Sequence, residues 1–305
     1  MKNDIKDRLV SSQIRCFLAL ARHLHFGRAA AELGMAQPGL SQIIRRLEED
    51  VGTELFTRTT RNVELTPSGQ AFLLHAERAA NESGRAADLA RIFARGGTGR
   101  LRIGFIQPAM YGRLPAAIAS MRRDHPDVDL DLIHMSSTEI AAGLIAGRLD
   151  LGLIRPPINT RGLRIGTIAR EGFAAVLRPD HPKVDAKRLT VRDFADERFV
   201  YFRSSENDSF PEQVAISCRL NGFAPNFVAQ TTSVAATLTL VIAGMGIAIM
   251  PRWTRNVAGT GLVFRPLDDM PTIVELSHAR ADDAAEDALA EAFIDRLTEA
   301  GAAAP

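Results

Sequence analysis

Residues 37–45 read QPGLSQIIR, and Gln37, Ser41, Gln42 and Arg45 recur on one face of a helix. Leu40, Ile44, Leu47 and Val51 fall at i, i+4, i+7 and i+11 and form the expected inward face. The outward set has the chemistry of base reading. Gln42 carries an amide that pairs bidentately with adenine, Arg45 a fork for guanine or phosphate, and Pro38 an apolar surface for a thymine methyl. Arg28 is placed to meet phosphate. Arg58 and Arg61, beside Asn62, lie between the runs Leu55-Phe56 and Val63–Leu65, where phosphate or minor-groove contact is expected. Glu48-Glu49-Asp50 repels phosphate, so that end of the helix should face away from DNA. Ile43 either touches thymine or extends the core. The bland competitor for any one of these residues is a solvated polar face.

The elements that must hold these side chains are short. Residues 28–33 form an alanine-rich helix, Gly34-Met35-Ala36 a tight turn, and Pro38 suits the first turn of the next helix, where its missing N–H costs nothing. Residues 1–65 thus read as a winged helix-turn-helix, a unit that presents a helix to the DNA major groove. Thr66 caps a following helix and Pro67 takes its first position. The linker region spans 66–97, and its helix, running through residues 70–95, would be about 40 Å long. Phe72, Ala76, Ala79, Ala86, Leu89, Ile92 and Phe93 lie near one side of it, to be covered by a second copy of the chain or by the chain itself. Gly84 interrupts the helix as a weak point or a place of close approach.

Gly96-Gly97-Thr98-Gly99 ends the helix, and the pattern then changes to strands alternating with helices. Strands are expected at 101–105, 128–133, 149–154, 173–177, 199–202, 226–229, 247–250 and 274–277. Helices are expected at 114–123, 138–146, 211–220, 234–243 and 283–297. This alternation predicts mostly parallel sheets covered by helices. Residues 98–305 are expected to divide into a first lobe, 98–168 with 272–305, and a second, 169–271. The facing strand ends make a cleft, and the two crossovers act as a hinge. The fold class is α plus α/β.

Bulk properties exclude several functions. The chain has 305 residues, 46% hydrophobic and 24% charged, with a net charge of +1, which is neither a disordered chain nor a polycation. No apolar run reaches a bilayer span and the N-terminus has no signal-peptide core, so a cytoplasmic location and no membrane partner are expected. Cys16 and Cys218 stand far apart and read as buried thiols. There is no GxSxG, HExxH or P-loop and no histidine pair at metal spacing, so no catalytic residue, metal or cofactor is expected. Gly244-Met245-Gly246 follows a helix and precedes a strand, the reverse of a dinucleotide loop, and reads as a turn. A periplasmic solute-binding protein would account for the residues after Leu101 but not for the first 65.

These residues resemble the LysR-type family of bacterial transcriptional regulators. The match is carried by Phe26 with Ala29-Ala30, Ala36-Gln37-Pro38, Ser41, Leu47-Glu48, Gly52, Leu55-Phe56, Arg58, Arg61 and Leu65-Thr66-Pro67-Ser68-Gly69. Downstream it includes LRIGF, RLPAAIASMRRDHPDVDL, IAAGLIAGRLDLGLI and TLTLVIAGMGIAIMP. Ile43 departs from it, standing where a polar residue is usual. The resemblance implies a dimerising linker helix, a two-lobed effector-binding domain like that of periplasmic binding proteins, tetramers on double-stranded promoter DNA, and RNA polymerase as a partner. It also implies a small-molecule effector between the lobes, held by Gln107-Pro108, Ser136-Ser137-Thr138, Arg155, Phe202-Arg203-Ser204 and Gln230-Thr231. Pro108 replaces a hydroxyl residue frequent in relatives that bind aromatic-pathway acids. Short hydroxyls at a helix start and two arginines suit a carboxylate, so a small organic or aromatic-pathway acid is the expected effector class. The competing readings are a plain helix cap at Ser136–Thr138 and a hinge or surface charge at Arg155.

Overall fold

The computed structural model describes residues 10–58, 62–94, 97–202, 210–259, 261–270, 274–284 and 287–299. Helices α1 (Ser12–His23), α2 (Phe26–Glu32) and α3 (Gln37–Val51) open the chain, followed by a hairpin of β1 (Phe56–Arg58) and β2 (Val63–Leu65). The turn into α3 depends on Gly34, whose φ is 66°, a conformation that costs a residue with a Cβ about 1 kcal/mol or more. Pro38 stands in the first turn of α3, and Gly52 ends the helix in the left-handed region. Leu40, Ile44 and Leu47 are buried against Phe17, Leu20 and Phe56. Val51 is 41% exposed, contrary to the expected inward face, because it lies at the last turn of the helix, beyond the packed core. Ile43 packs at the edge of that core.

Helix α4 (Pro67–Ala94) runs for 28 residues. Thr66 Oγ1 accepts the Gly69 N–H at 2.9 Å and donates to the Glu54 carbonyl at 2.8 Å, tying the cap to the wing. Gly69 permits this approach, since a Cβ there would stand 2.0 Å from the Leu55 carbonyl oxygen. Phe72 and Ala76 point into the first domain's core, Phe72 edge-on to Phe17 at 4.8 Å. The second half of α4 docks on its own effector-side domain. Asn81 Nδ2 donates to the Ala146 carbonyl at 2.6 Å, and Arg85 pairs with Asp150 at 2.9 Å and with Asp287 at 3.3 Å. Arg78 reaches the Ile145 carbonyl and Asp283. Own-chain packing therefore accounts for this face of the helix. Ala71, Ala79, Ala86, Ala90 and Phe93 remain exposed at helical spacing.

The first lobe is built on a five-stranded sheet ordered β4 (Val128–His134), β3 (Gly99–Phe105), β5 (Leu151–Ile154), β12 (Val274–Ala281) and β6 (Leu163–Glu171). Around it pack α5 (Gln107–Tyr111), α6 (Leu114–Asp124), α7 (Ser137–Ile145) and α10 (Ala288–Glu299). The second lobe contains β7 (Phe173–Leu177) between β10 (Ala248–Pro251) and β11 (Val263–Pro266), and the pair β8 (Arg198–Phe202) and β9 (Asn226–Thr231). A bridge between Phe199 and Ile247 joins these two groups. Helices α8 (Phe210–Leu220) and α9 (Val234–Ile242) cover the lobe. Gly244, at φ 76°, makes the expected turn after α9.

The sheets are mixed, not mostly parallel as the alternation suggested. Strands β3, β4 and β5 are mutually parallel and β8 is parallel to β9, but β12 is antiparallel to β5 and β6, and β7 to β10 and β11. The reason is the crossover itself: β6 carries the chain out of the first lobe and β12 carries it back, so the two must run in opposite directions. Strand β6 stays in the first sheet to Glu171 and Phe173 begins the second core; the passage occurs at Gly172. Among the described residues no helix is long and apolar enough to cross a membrane.

Candidate DNA-reading surface and interlobe cleft

Helix α3 presents Gln37, Pro38, Gln42 and Arg45 exposed and Ser41 half-exposed, on the side away from Leu40, Ile44 and Leu47. The five residues thus occupy one continuous outer face over the first three turns. Exposed Arg28 lies one helix earlier, its guanidinium donating to the His23 carbonyl at 3.2 Å, while its backbone N–H donates to Nδ1 of His25, the N-cap of α2. Arg61 lies outside the described residues.

Arg58 has a more structural setting than the sequence suggested. Its guanidinium pairs with Glu48 and lies over the Phe26 ring, 5.4 Å from the centroid. Glu48 Oε1 also accepts the Leu55 and Phe56 N–H groups at 3.0 and 3.1 Å. Glu48 therefore turns into the wing, which removes one of the three carboxylates at this end of α3 from the DNA side. Nothing in the local sequence singled it out, because its partners are seven and more residues away.

In the first lobe the candidate effector residues gather at the C-terminal ends of the parallel strands. Gln107 and Pro108 open α5 directly after β3. Ser136 caps α7 in a reciprocal box with Glu139, and its two hydrogen bonds hold the Glu139 carboxyl below the usual carboxylate range. Ser137 Oγ accepts the Arg155 N–H at 3.1 Å, which joins the start of α7 to the end of β5. Thr138 is exposed beside it. The cap reading of Ser136 is thus realised, and Ser137 does a different job.

In the second lobe Phe202 and Thr231 are register partners at the ends of β8 and β9. Thr231 Oγ1 meets Thr237 Oγ1 at 2.6 Å, with Ser233 capping α9 alongside. Gln230 is exposed on the edge strand. Arg203 and Ser204 lie outside the described residues. The two groups repeat one arrangement, parallel strand ends beside a helix N-terminus, a setting with free N–H groups that favours anions.

A separate cleft of about 550 Å³ lies between α4 and the first lobe, lined among others by Arg78, Arg85, Leu89, Phe93, Arg100 and Leu289; none of the described candidate effector residues lines it. Both cysteines are buried, and burial pushes the Cys218 thiol up to about 11. It is therefore a poor nucleophile at neutral pH.

Sequence reading missed the contacts that join the lobes. The Tyr111 ring, at the end of α5, stacks on Trp253 with centroids 5.9 Å apart and planes 2° from parallel. Asn256 Nδ2 donates to the Tyr111 carbonyl at 2.7 Å across 145 residues of sequence. No local pattern signals a pairing at that separation.

Comparison with known proteins agrees with this geometry. The model of the "bacterial regulatory helix-turn-helix protein, lysR family" matches residues 11–70, and that of the "LysR substrate binding domain" matches residues 94–302. The HTH-type transcriptional regulator AlsR of Bacillus subtilis (strain 168) is 34% identical over 257 residues, covering 84% of this chain and 85% of AlsR. Among solved structures, full-length BenM superposes with a TM-score of 0.59 at 26% identity, over 95% of this chain and 96% of BenM. Full-length CbnR complexed with its target DNA gives a TM-score of 0.64 at 25% identity, over 94% and 98% of the two chains.

Proposed function

The chain belongs to the LysR family of bacterial transcriptional regulators, and from that premise we propose how it reads DNA and what switches it. It is a regulator with an effector-binding domain, and its relatives are regulators, not enzymes. Gln37, Pro38, Ser41, Gln42 and Arg45 carry base readout, with Arg28 on phosphate. Arg61 completes the phosphate set. Arg58 acts by fixing the wing through Glu48 as well as by adding positive charge. The observation that supports this division is that the α3 residues are exposed and unclaimed by the core while Arg58 is held by Glu48.

The effector is a small organic acid, aromatic-pathway acids included, bound between the lobes. The observation that carries this reading is the Ser137–Arg155 hydrogen bond. It brings a helix N-terminus, two serine hydroxyls and the backbone of an arginine to one point of the cleft rim. Gln107, Pro108 and Thr138 flank that point, Phe202, Gln230 and Thr231 face it from the second lobe, and Arg203 and Ser204 belong to the same set by resemblance alone. Binding changes the population of lobe arrangements and so the spacing of the DNA-reading domains. A thermal-shift series with benzoate, succinate and tartrate tests this: at least one acid should raise Tm with a saturating concentration dependence. Stabilisation by none of a wide acid panel, with neutral sugars or bases stabilising instead, contradicts the class.

The working unit is a homotetramer acting with RNA polymerase in the bacterial cytoplasm. The exposed stripe of Ala71, Ala79, Ala86, Ala90 and Phe93 supports pairing of two α4 helices. Exposed Ile133 on edge strand β4 and Ile216, Leu220, Phe227 and Val228 on the second lobe support a further contact between copies. Sedimentation equilibrium of the full chain measures the assembly state.

A further inference from the structure

The passage between the lobes is fastened by more than the two crossover strands. Tyr111 belongs to α5 of the first lobe, yet its ring packs with the second lobe's core through Trp253. Trp253 lies in a 3-10 turn, Arg252–Asn256, that directly follows β10. Asn256, from the same turn, holds the Tyr111 carbonyl. Helix α5 is also the element that carries Gln107 and Pro108 at its other end. Any change in the cleft that moves α5 therefore moves Tyr111 against Trp253.

A carboxylate sits behind this contact. Glu171 is the last residue of β6, one position before the crossover, and it accepts the Trp253 backbone N–H. Its Oε2 is enclosed without a hydrogen-bond partner among the described residues. Three guanidinium groups act on it: Arg113 from the α5–α6 turn, Arg155 from the end of β5, and Arg255 from the 3-10 turn. Burial outweighs the Trp253 N–H and the pull of Arg113, Arg255 and Arg155, so the Glu171 carboxyl is held above the usual carboxylate range. As the pH falls through that raised value, Glu171 is protonated, and its hydrogen bond to the Trp253 N–H weakens.

We propose that Tyr111, Trp253 and Asn256 form a latch that sets the angle between the lobes, with Glu171 as the positioning residue that anchors its second-lobe half. The latch depends on no particular effector, so it stands or fails independently of the acid-effector reading.

Trp253 is the single tryptophan of the chain, so emission excited selectively at tryptophan, beyond the absorption of the two tyrosines, reports on the surroundings of this one side chain in the full-length protein. Tyr111→Ala should red-shift the emission and raise acrylamide quenching about twofold or more as the 8%-exposed indole gains water. Tyr111→Phe keeps the ring and should restore the wild-type spectrum, whereas Asn256→Ala, at an exposed side chain, should give a smaller shift without unfolding. Titrated without any ligand from about pH 8 to about pH 4.5, the wild-type emission should move with one midpoint above the ordinary glutamate value. Glu171→Gln should remove that midpoint and leave the rest of the titration intact. An unchanged Trp253 spectrum in both Tyr111→Ala and Asn256→Ala, or the same pH midpoint in Glu171→Gln, overturns the latch.

Discussion

The Arg58 guanidinium on the wing meets the Glu48 carboxylate on α3, and the other oxygen of that carboxylate receives two backbone N–H groups of the wing strand. A residue that would repel phosphate is thus spent on holding the wing at a fixed angle to the reading helix. Both side chains are largely buried, at 28% and 11% exposure, so the pair is less screened than a surface bridge.

Arg58→Ala should therefore lower stability by about 1–3 kcal/mol in urea unfolding, because Glu48 is left partly buried without its cation. It should also weaken binding to all duplexes by a similar factor. A loss confined to particular base sequences would contradict the wing assignment.

Arg45→Ala and Gln42→Ala should behave in the opposite way. Each removes a group exposed on α3, so stability should stay within about 0.5 kcal/mol, while discrimination at one operator position should fall by about 1–3 kcal/mol. Competition gel shifts with singly substituted operators measure this.

Ser137→Ala removes the acceptor of the Arg155 N–H and leaves the Ser136–Glu139 cap intact. Basal DNA binding should persist, and the thermal stabilisation given by whichever acid proves active on the wild type should drop about tenfold in ligand concentration, equivalent to about 1.4 kcal/mol. Equal stabilisation of both proteins would remove Ser137 from the cleft.

Asp150 is 4% exposed and receives Arg102 through its backbone N–H, Nε and Nη2 as well as Arg85 of the linker helix. Asp150→Ala leaves the Arg102 guanidinium without its carboxylate and Arg85 with Asp287 in place of two acids, and should cost about 3–5 kcal/mol. Arg85→Ala cuts only the linker side. It should leave the effector-side domain folded but enlarge the hydrodynamic radius as α4 loses its hold on the first lobe.

Stability should also carry a pH signature from His278. Burial holds its imidazole below the ordinary histidine value, so the unfolded chain takes up the proton first. The contribution is fully present above about pH 6.5 and is lost as the pH falls through the unfolded value toward the depressed folded one. Glu171 acts with the opposite sign: its folded value is raised, so its ionisation destabilises the fold as the pH rises. His278→Gln should flatten the acid side of a Tm-against-pH curve, and Glu171→Gln should raise Tm near neutrality.

The reading helix was legible because one short stretch fixes it: Pro38 sets the start, and Leu40, Ile44 and Leu47 set the buried face. The cap at Thr66 was equally local. Strand β6 was not read because its sequence, LRIGTIARE, mixes arginine and glycine into the alternation, and β11 is only four residues long. The sheets' mixed directions follow from which lobe each strand enters, a property of the path and not of any window. Glu48 and the Tyr111–Trp253 pair escaped for the same reason, since their roles arise only when distant segments meet.

The central claim is that α3 reads a defined DNA sequence under control of the effector-side domain, and selection from a random duplex library by the full-length protein tests it most directly. The account predicts enrichment of an interrupted palindrome, lost in a Gln42→Ala, Arg45→Ala double variant, with affinity that weakens steeply with salt. Recovery of no sequence above the random background, or of the same sequence by the double variant, would contradict it.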